Sequence, residues 1–381
     1  MTVPPVTNPT KPSITFVITS LFRGGAETQM VRVALSLAKR GWRVRIVTLM
    51  NLDDFGAALS SNGIEVRTLG VPRGRYDPRA LPALVRILRD QAPDVVCTFM
   101  YHANVIGRVA ARLAGRPVVV SSIRNAVFGG WVADKLIRLT DGLAAVTTTN
   151  SELAAKQLLA RGVTRPDRLM VVRNAIEPNP PTRARARDEL VGRALGSSWL
   201  WLSVGRLEPQ KAHENELKAL ALLLGEGHDL HLVIAGSGAL KDELLALRSE
   251  LGLDKRVTLL DYSNEVNALM AASDGLVLAS RWEGLPNVIL EACIAGLPVV
   301  ATEVGGVTEI ISDGRTGVVV PPEDVGALAT GMRRLMQLPD AARREMTLAA
   351  GEHVRRDYAP EAVMDVWEGL FLDQLRRRRP T

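Results

Sequence analysis

Short apolar runs alternate with longer amphipathic segments along nearly the whole chain. Runs such as Ile14–Thr19 and Leu230–Ala235 are apolar at most positions and do not alternate strictly with polar residues. This pattern predicts strands that are buried on both faces. The segments between the runs carry apolar residues at helical spacing, so we expect helices that cover the strands. The chain is therefore predicted to be α/β, with parallel sheets.

The alternation is broken once, by a Pro-rich stretch at residues 178–181. We expect two Rossmann-like doubly wound domains that face a central cleft. The predicted organisation is a flexible tail over residues 1–12, a first domain over 13–177, a linker over 178–181, a second domain over 182–357, and a C-terminal helix with a basic tail over 358–381. The predicted strands are 14–19, 43–49, 63–69, 94–99, 117–121, 143–148 and 169–172, then 200–204, 230–235, 257–260, 275–279, 298–301 and 317–320.

Composition narrows the classes of partner. The chain has 381 residues, which suits two domains, and a formal net charge of +6, which suits phosphorylated ligands or an acidic membrane surface. Aromatic residues make up only 4%, which disfavours platforms that stack nucleic acid bases. Cys97 and Cys293 lie in apolar runs without metal-binding spacing, so we interpret them as reduced core residues of a cytoplasmic protein. No apolar run is long enough to span a bilayer.

The most informative stretch runs from Ser280 to Ala292. It follows a predicted strand, turns at Glu283 and enters a helix that contains Glu291, with Pro286 suited to the first helical turn. Because carboxyl ends of parallel strands bind ligands, both carboxylates are candidates for binding hydroxyl groups. The backbone N–H groups of Gly284 and Leu285 could seat an anion. A solvated turn followed by an ordinary helical glutamate is an equally good interpretation of the two carboxylates alone.

A second candidate segment, residues 204–211, follows the first strand of the second domain. Gly205 permits a tight turn, and Arg206 and Lys211 could converge on one anion. Two fixed cations would stabilise the charge that develops on a departing diphosphate. The sequence contains no Asp-x-Asp pair, which favours chemistry without a metal or other cofactor.

Three looser segments complete the candidate site. Residues 23–27 place Gly25 at a turn before a helix, and residues 304–309 place Gly305 and Gly306 after a strand. His102 follows the strand 94–99 at the sheet edge, where it could bind a sugar or an acceptor. A helix-capping or buried histidine is the alternative interpretation.

These segments resemble the GT-B fold retaining glycosyltransferases, family 4 in particular. The shared motifs are E-x7-E with EGLP at residues 283–291, G-R-L-x-x-x-K at 205–211, and GGAE at 24–27. Departures from the family pattern occur at Ala175, Glu177, Ala212 and Asp261.

The resemblance implies transfer of a hexosyl group from a nucleotide-sugar, with a UDP-sugar favoured, to a glycan or lipid-linked saccharide. Glu283, Arg206, Lys211 and His102 would be catalytic. The donor site would comprise Gly25, Gly205, Arg206, Lys211, Glu283, Gly284, Leu285, Pro286, Glu291, Gly305 and Gly306. No metal or nucleic acid is expected, while a peripheral position on an anionic membrane is compatible with the basic tail.

Other activities stay open at this point. A GT-B epimerase or a glycan phosphorylase has a similar architecture, although the lysine motif that a phosphorylase needs for its cofactor is not found. A catalytically silent nucleotide-sugar-binding partner is a further alternative, disfavoured because both glutamates and both cations are present.

Overall fold

The computed structural model describes residues 11–22, 24–51, 54–72, 77–115, 117–124, 129–177, 187, 189, 195–261 and 265–378. Contacts divide the chain into unit 1, residues 1–175 with 360–381, and unit 2, residues 176–359. The predicted linker at 178–181 lies outside the described residues, as do residues 1–10 of the predicted tail. Within the first part of the predicted second domain, from 182 to 195, the described residues are 187, 189 and 195.

Unit 1 is built on one parallel sheet. In the described part, its strands lie in the order β3-β2-β1-β4-β5-β6-β7. They are β1 (Ser13–Ile18), β2 (Arg43–Thr48), β3 (Glu65–Thr68), β4 (Val95–Phe99), β5 (Val118–Ser122), β6 (Val146–Thr149) and β7 (Leu169–Val171). The helices between them are α1 (Gly25–Lys39), α2 (Gly56–Ser60), α3 (Ala80–Gln91), α4 (Tyr101–Ala114), α5 (Gly130–Asp141) and α6 (Glu152–Ala160), with a 3-10 turn at Pro166–Arg168.

Strand β1 shows why this sheet is covered on both faces. All of its side chains are buried. Phe16 and Ile18 join one apolar cluster, whereas Val17 joins a different one. Since neighbouring side chains of a strand point to opposite faces, both faces of the sheet pack against helices.

The last helix, Pro360–Arg378, belongs to unit 1. Trp367 and Phe371 enter the same apolar cluster as Phe16, and Phe371 meets Trp42 edge to face at 6.0 Å between ring centroids. Glu368 on this helix accepts hydrogen bonds from Arg40 and from Trp42 Nε1, both at 2.8 Å. The helix is therefore fixed to unit 1 by apolar and polar contacts.

Unit 2 repeats the architecture. Among its described residues, the strands lie in the order β10-β9-β8-β11-β12-β13 and are parallel. They are β8 (Trp199–Val204), β9 (Leu230–Ala235), β10 (Val257–Leu260), β11 (Gly275–Leu278), β12 (Val299–Thr302) and β13 (Val318–Val320). The helices are α7 (His213–Gly225), α8 (Lys241–Glu250), α9 (Val266–Ala272), α10 (Asn287–Ala295), α11 (Val307–Ile310), α12 (Val325–Met336) and α13 (Asp340–Asp357), with a 3-10 turn at Pro209–Lys211.

Each sheet has one point at which the direction of strand addition reverses. It lies between β1 and β4 in unit 1 and between β8 and β11 in unit 2. Open α/β sheets bind ligands outside the carboxyl ends of the strands at such a point. The predicted fold class, two Rossmann-like parallel sheets, is confirmed.

The structure fixes where three helices begin and corrects one predicted boundary. Helix α4 begins at Tyr101, two residues after β4 ends, so His102 lies in the first helical turn. Helix α10 begins at Asn287, so Pro286 precedes the first turn as the N-cap residue. Helix α6 is capped by Ser151, whose Oγ accepts from Ala154 N at 3.1 Å.

Both cysteines are free and buried, as predicted. Desolvation raises the pKa of Cys97 well above its usual range and that of Cys293 to about 12. Both thiols are therefore inert core groups at neutral pH. Within the described part of the chain, no helix combines the length and apolar character needed to cross a membrane.

Candidate active site

The carboxyl ends of β8 and β11 bring two predicted site segments together. The two strands are neighbours at the point where the strand order of unit 2 reverses. Lys211, after β8, and Glu283, after β11, meet directly, with Nζ donating to Oε1 at 2.5 Å. Their side chains are only 14% and 8% exposed, so this ion pair is largely shielded from solvent. The sequence predicts both residues for the site but not their pairing.

Two further side chains orient the Glu283 carboxylate. Ser280 Oγ donates to Oε1 at 2.7 Å. Gln210 Nε2 donates to Trp282 O at 2.8 Å and lies 3.4 Å from Glu283 Oε2. Since Lys211 and Ser280 both use Oε1, Oε2 keeps the greater capacity to accept a hydrogen bond from another hydroxyl group.

The loops after β8 and β11 are fastened to each other through Arg281. Its backbone N–H donates to Gln210 O at 2.8 Å, and its guanidinium donates to Pro209 O at 2.5 Å. The same guanidinium pairs with Glu323 at 2.7 Å and Glu214 at 2.6 Å. The hydrogen bond to Glu323 and the contact with Glu214 raise the pKa of Arg281 against the effect of burial. This bracing fixes the separation of Lys211 and Glu283.

Glycines allow close approach around the ion pair. The stem of Lys211 lies over Gly205, where an added Cβ would sit 3.1 Å from Lys211 Cε. Gly305 has φ of +52°, and a Cβ there would collide with Glu283 O. Gly306 N donates to Gly284 O at 2.7 Å. The loop at 305–306 therefore packs on the turn that contains Glu283, so both segments can contribute to one site.

Arg206 lies at the exposed edge of the segment that follows β8. Its side chain is 51% exposed and pairs with Glu208 at 3.0 Å. It also lies 3.4 Å from Gln210 Oε1. Arg206 thus reaches the rim of the site through Gln210, while Lys211 occupies the interior.

The remaining donor-site candidates lie along the segment that leads into α10. Gly284, Leu285 and Pro286 are buried. Glu291 is half-buried and lies within α10, whereas Glu283 lies in the turn before that helix. The two glutamates therefore lie on different elements of one segment.

A buried polar network beneath the site is not predicted from the sequence. Glu216, which is fully buried on α7, accepts from Ser203 Oγ at 3.0 Å and lies 2.9 Å from His213 Nδ1. Ala279 N donates to the same carboxylate at 3.3 Å. The network ties β8, α7 and the end of β11 to one another. Two features of the sequence could have indicated this network. Ser203 lies inside an apolar strand, and Glu216 lies on the apolar face of a helix, and buried polar groups such as these need hydrogen-bond partners.

In unit 1, Gly25 is the first residue of α1, and Gly24 precedes it as the N-cap. A Cβ at Gly24 would collide with the Glu27 carboxylate, which is itself buried. The Glu27 carboxylate folds back onto the start of its own helix, and this close approach requires a glycine at position 24. Arg23 lies outside the described residues.

His102 is exposed in the first turn of α4, at the carboxyl edge of β4. Desolvation by neighbouring atoms lowers the pKa of the ring. Met100, between strand and helix, has φ of 73° and ψ of 163°, a conformation that costs a non-glycine residue about 1–3 kcal/mol. Asn104 stabilises this junction by accepting from Thr98 Oγ1 at 2.6 Å and donating to Ser122 O at 2.9 Å. The strained backbone at Met100 thus fixes the position of His102 relative to β4.

Arg124, which follows β5, is a buried residue whose side chain bonds to other parts of unit 1. It is buried, donates to Val172 O at 3.3 Å and to Asn174 Oδ1, and lies over the Phe99 ring at 5.8 Å. Desolvation lowers its pKa to about 10.

The described residues contain no cluster of three or more His, Cys, Asp or Glu side chains arranged to hold a metal ion. Metal independence stays a prediction. Lys211 and Arg206 are the two predicted site residues that carry a positive charge.

Two family models match the chain, one in each unit. The model described as "Glycosyl transferases group 1" matches residues 192–353, and the model described as "Glycosyl transferase 4-like domain" matches residues 24–175. The first match covers the Lys211–Glu283 pair, and the second covers Gly25 and His102.

Two curated relatives illustrate the similarity. The chain is 32% identical over 263 residues to the N-acetylgalactosamine-N,N'-diacetylbacillosaminyl-diphospho-undecaprenol 4-alpha-N-acetylgalactosaminyltransferase of Campylobacter jejuni, covering 66% of this chain and 69% of the relative. It is 27% identical over 276 residues to the UDP-Gal:alpha-D-GlcNAc-diphosphoundecaprenol alpha-1,3-galactosyltransferase of Escherichia coli, covering 68% and 70%.

Among solved structures, the crystal structure of HepE from Anabaena in complex with UDP and glucose superposes with a TM-score of 0.83. The sequence identity is 20%, and the match covers 95% of this chain and 100% of that one. At this identity the likeness establishes the shared fold.

Proposed function

Because this chain belongs to the GT-B glycosyltransferases of family 4, we propose that it transfers a hexosyl group from a UDP-sugar to a lipid-linked saccharide, with retention at the anomeric carbon. Support for the donor comes from the E. coli relative, whose name specifies UDP-Gal. Support for the acceptor comes from both curated relatives, whose names specify undecaprenol carriers.

The Lys211–Glu283 pair carries this proposal. A UDP-sugar loses a diphosphate when the bond to its anomeric carbon breaks, and negative charge then grows on the diphosphate oxygen. A shielded ammonium aimed at that oxygen stabilises the transition state more than an exposed one would. Lys211 supplies this charge, and Arg206 adds a second at the rim of the site. The acceptor oxygen forms the new bond, and its proton passes to the departing phosphate.

The two glutamates divide the polar recognition of the donor. Glu283, whose Oε2 can accept a further bond beside the 3.4 Å contact from Gln210, binds hydroxyl groups of the sugar that is transferred. Glu291 on α10 binds the ribose hydroxyls. The backbone of Gly284, Leu285, Pro286, Gly305 and Gly306 encloses the same ligand. Gly25 and His102 of unit 1 act at the reacting sugar and the acceptor.

Metal independence and membrane contact are further parts of the proposal. Lys211 and Arg206 replace the positive charge that a divalent ion would give the diphosphate. An acceptor with a polyprenyl chain resides in a bilayer, so the enzyme would work at the cytoplasmic face of a membrane as a peripheral protein. The net charge of +6 favours binding to anionic lipid.

The test is a panel of nucleotide-sugars, measured first by thermal stabilisation and then by transfer to a diphosphopolyprenyl saccharide with chelator present. We expect a UDP-sugar to raise the melting temperature, because it binds the folded state, and to give a product that keeps the anomeric configuration. Inversion, or activity that requires magnesium or manganese, would contradict the proposal. A Glu283→Gln variant with intact folding is the matched inactive control.

A further inference from the structure

Helix α5 carries the two most exposed large apolar side chains in the described part of the chain, Trp131 and Leu139, together with a third exposed apolar residue, Val132. Trp131 is 75% exposed, Leu139 is 69% exposed and Val132 is 51% exposed. Lys135 and Arg138 lie between them and are exposed as well. Since the five positions recur at helical spacing, they form one face, which we call the α5 surface. The opposite face, with Ala133, Ile137 and Asp141, is buried in unit 1.

The α5 surface is positively charged because the acidic residues of the helix are neutralised elsewhere. Asp134 forms a bidentate pair with Arg161, whose Nε donates at 2.8 Å. Asp141 is buried and pairs with Arg108 at 3.4 Å. This leaves Lys135 and Arg138 as the uncompensated charges of α5 among the described residues. Lys135 Nζ lies 6.0 Å from the centre of the Trp131 ring, within range of a cation–π contact.

This combination fits one kind of partner. A helical face that joins exposed tryptophan and aliphatic residues to lysine and arginine binds in the plane of an anionic bilayer interface. Tryptophan favours that interface because its ring is apolar and its N–H is polar. A purely apolar face would suit another protein equally well, but the two basic residues between the apolar ones match lipid phosphates.

The position of α5 connects this surface to catalysis. Since α5 follows β5, its first turn lies at the carboxyl edge of the unit 1 sheet, and Trp131 and Val132 occupy that turn. The same edge carries His102, after β4. A bilayer that contacts α5 would therefore present the headgroup of a lipid-linked molecule close to this edge.

We propose that the α5 surface, Trp131, Val132, Lys135, Arg138 and Leu139, docks unit 1 on an anionic lipid bilayer. Trp131, Val132 and Leu139 enter the interface, and Lys135 and Arg138 contact lipid phosphates. The link to acceptor delivery rests on the function proposed above, whereas the docking itself does not.

The first experiment uses the full chain and vesicles of phosphatidylcholine, with or without phosphatidylglycerol, at low and high salt. Lys135→Ala/Arg138→Ala should weaken partitioning to the anionic vesicles about 30-fold, since each basic residue contributes about 1 kcal/mol near an anionic surface. Trp131→Ser/Leu139→Ser should weaken it at both salt concentrations. Matched controls on an exposed face of α13 are Arg344→Ala/Arg355→Ala and Leu348→Ser, which should leave partitioning unchanged.

Tryptophan fluorescence gives a direct readout of the same contact. Of the six tryptophans, Trp131 is the most exposed. Trp42, Trp201 and Trp367 are buried, and the other two are half-buried. Adding anionic vesicles should shift the emission to shorter wavelength. Trp131→Phe should abolish this shift while retaining most of the binding, because phenylalanine keeps the apolar contact.

The competing surface is the basic end of the C-terminal helix. If Arg376→Ala/Arg377→Ala/Arg378→Ala abolishes binding while the α5 variants bind normally, the proposal is overturned. Equal partitioning to neutral and anionic vesicles, or no change in emission, also overturns it. Donor affinity and transfer to an acceptor in detergent should be normal in the α5 variants. A chain that binds vesicles through α5 but transfers no sugar would instead contradict the proposed function.

Discussion

The Nζ of Lys211 lies 2.5 Å from the Oε1 of Glu283, although 72 residues separate them in the chain. Both side chains are largely shielded from solvent. Removing one partner of such a pair leaves the other charge uncompensated in a poorly solvated position. The pair therefore couples the stability of unit 2 to the residues that we assign to donor binding.

This coupling gives the first prediction. Lys211→Met should lower the free energy of unfolding of unit 2 by about 3 kcal/mol, because Glu283 is left without its cation. Adding Glu283→Gln in the same chain should restore most of the loss, since a neutral amide needs no counter-ion. Urea denaturation of the wild type, both single variants and the double variant measures the interaction. Losses that simply add in the double variant would show that the pair is not energetically coupled.

Arg206 should behave in the opposite way. Its side chain is 51% exposed, and its pair with Glu208 is a surface contact, worth at most about 1 kcal/mol. Arg206→Ala should therefore leave unfolding nearly unchanged but slow sugar transfer by about 10²–10³, because a charge directed at the leaving group is lost. Glu208→Ala is the control, since it removes the partner and keeps the cation. A normal transfer rate in Arg206→Ala would exclude this residue from the reaction.

Much of the fold follows from local sequence. Apolar runs such as Leu230–Ala235 are buried at every position because helices cover both faces of the sheet, and this pattern is visible in the sequence. The E-x7-E and G-R-L-x-x-x-K motifs identify the family, and the matches to family models confirm it. Glu283 and Lys211 are predicted individually because each follows a strand.

Other features depend on long-range packing and are invisible in the sequence. The contact of Lys211 with Glu283 requires β8 and β11 to be neighbours, which no local pattern states. The backbone of Ala212 is left-handed with φ of 50°, in a buried position where the family usually has glycine. The strained φ of Met100 is likewise imposed by its surroundings. The sequence of α5 reads as an ordinary amphipathic helix. Only the structure shows which of its apolar residues are buried and which are exposed.

The third prediction concerns Glu291. If it binds the ribose hydroxyls, Glu291→Ala should weaken UDP affinity by about 1–3 kcal/mol, because two hydroxyl groups lose their acceptor. Calorimetric titration with UDP, which lacks the sugar, isolates this contact from any effect at Glu283. Glu250→Ala, an exposed glutamate at the end of α8, is the matched control. An unchanged dissociation constant in a correctly folded Glu291→Ala protein would contradict the assignment.

The last prediction concerns acid stability and Glu368, which holds the C-terminal helix on unit 1. Burial alone would raise the pKa of this carboxyl, but hydrogen bonds from Trp42 and Arg40 and the charge of Lys11 outweigh burial and lower the pKa below its ordinary 4.5. A lowered folded-state pKa means that the unfolded chain binds the proton first, so the stabilisation is complete above about pH 4.5 and is lost as the pH falls through the folded value. Glu368→Gln should therefore be less stable than the wild type at pH 7, and the difference should shrink steadily below pH 4.5. Urea denaturation of both proteins across that range measures it, with the exposed Glu361→Gln on the same helix as control. A difference that stays constant with pH would show that the charge of Glu368 contributes nothing to holding the helix.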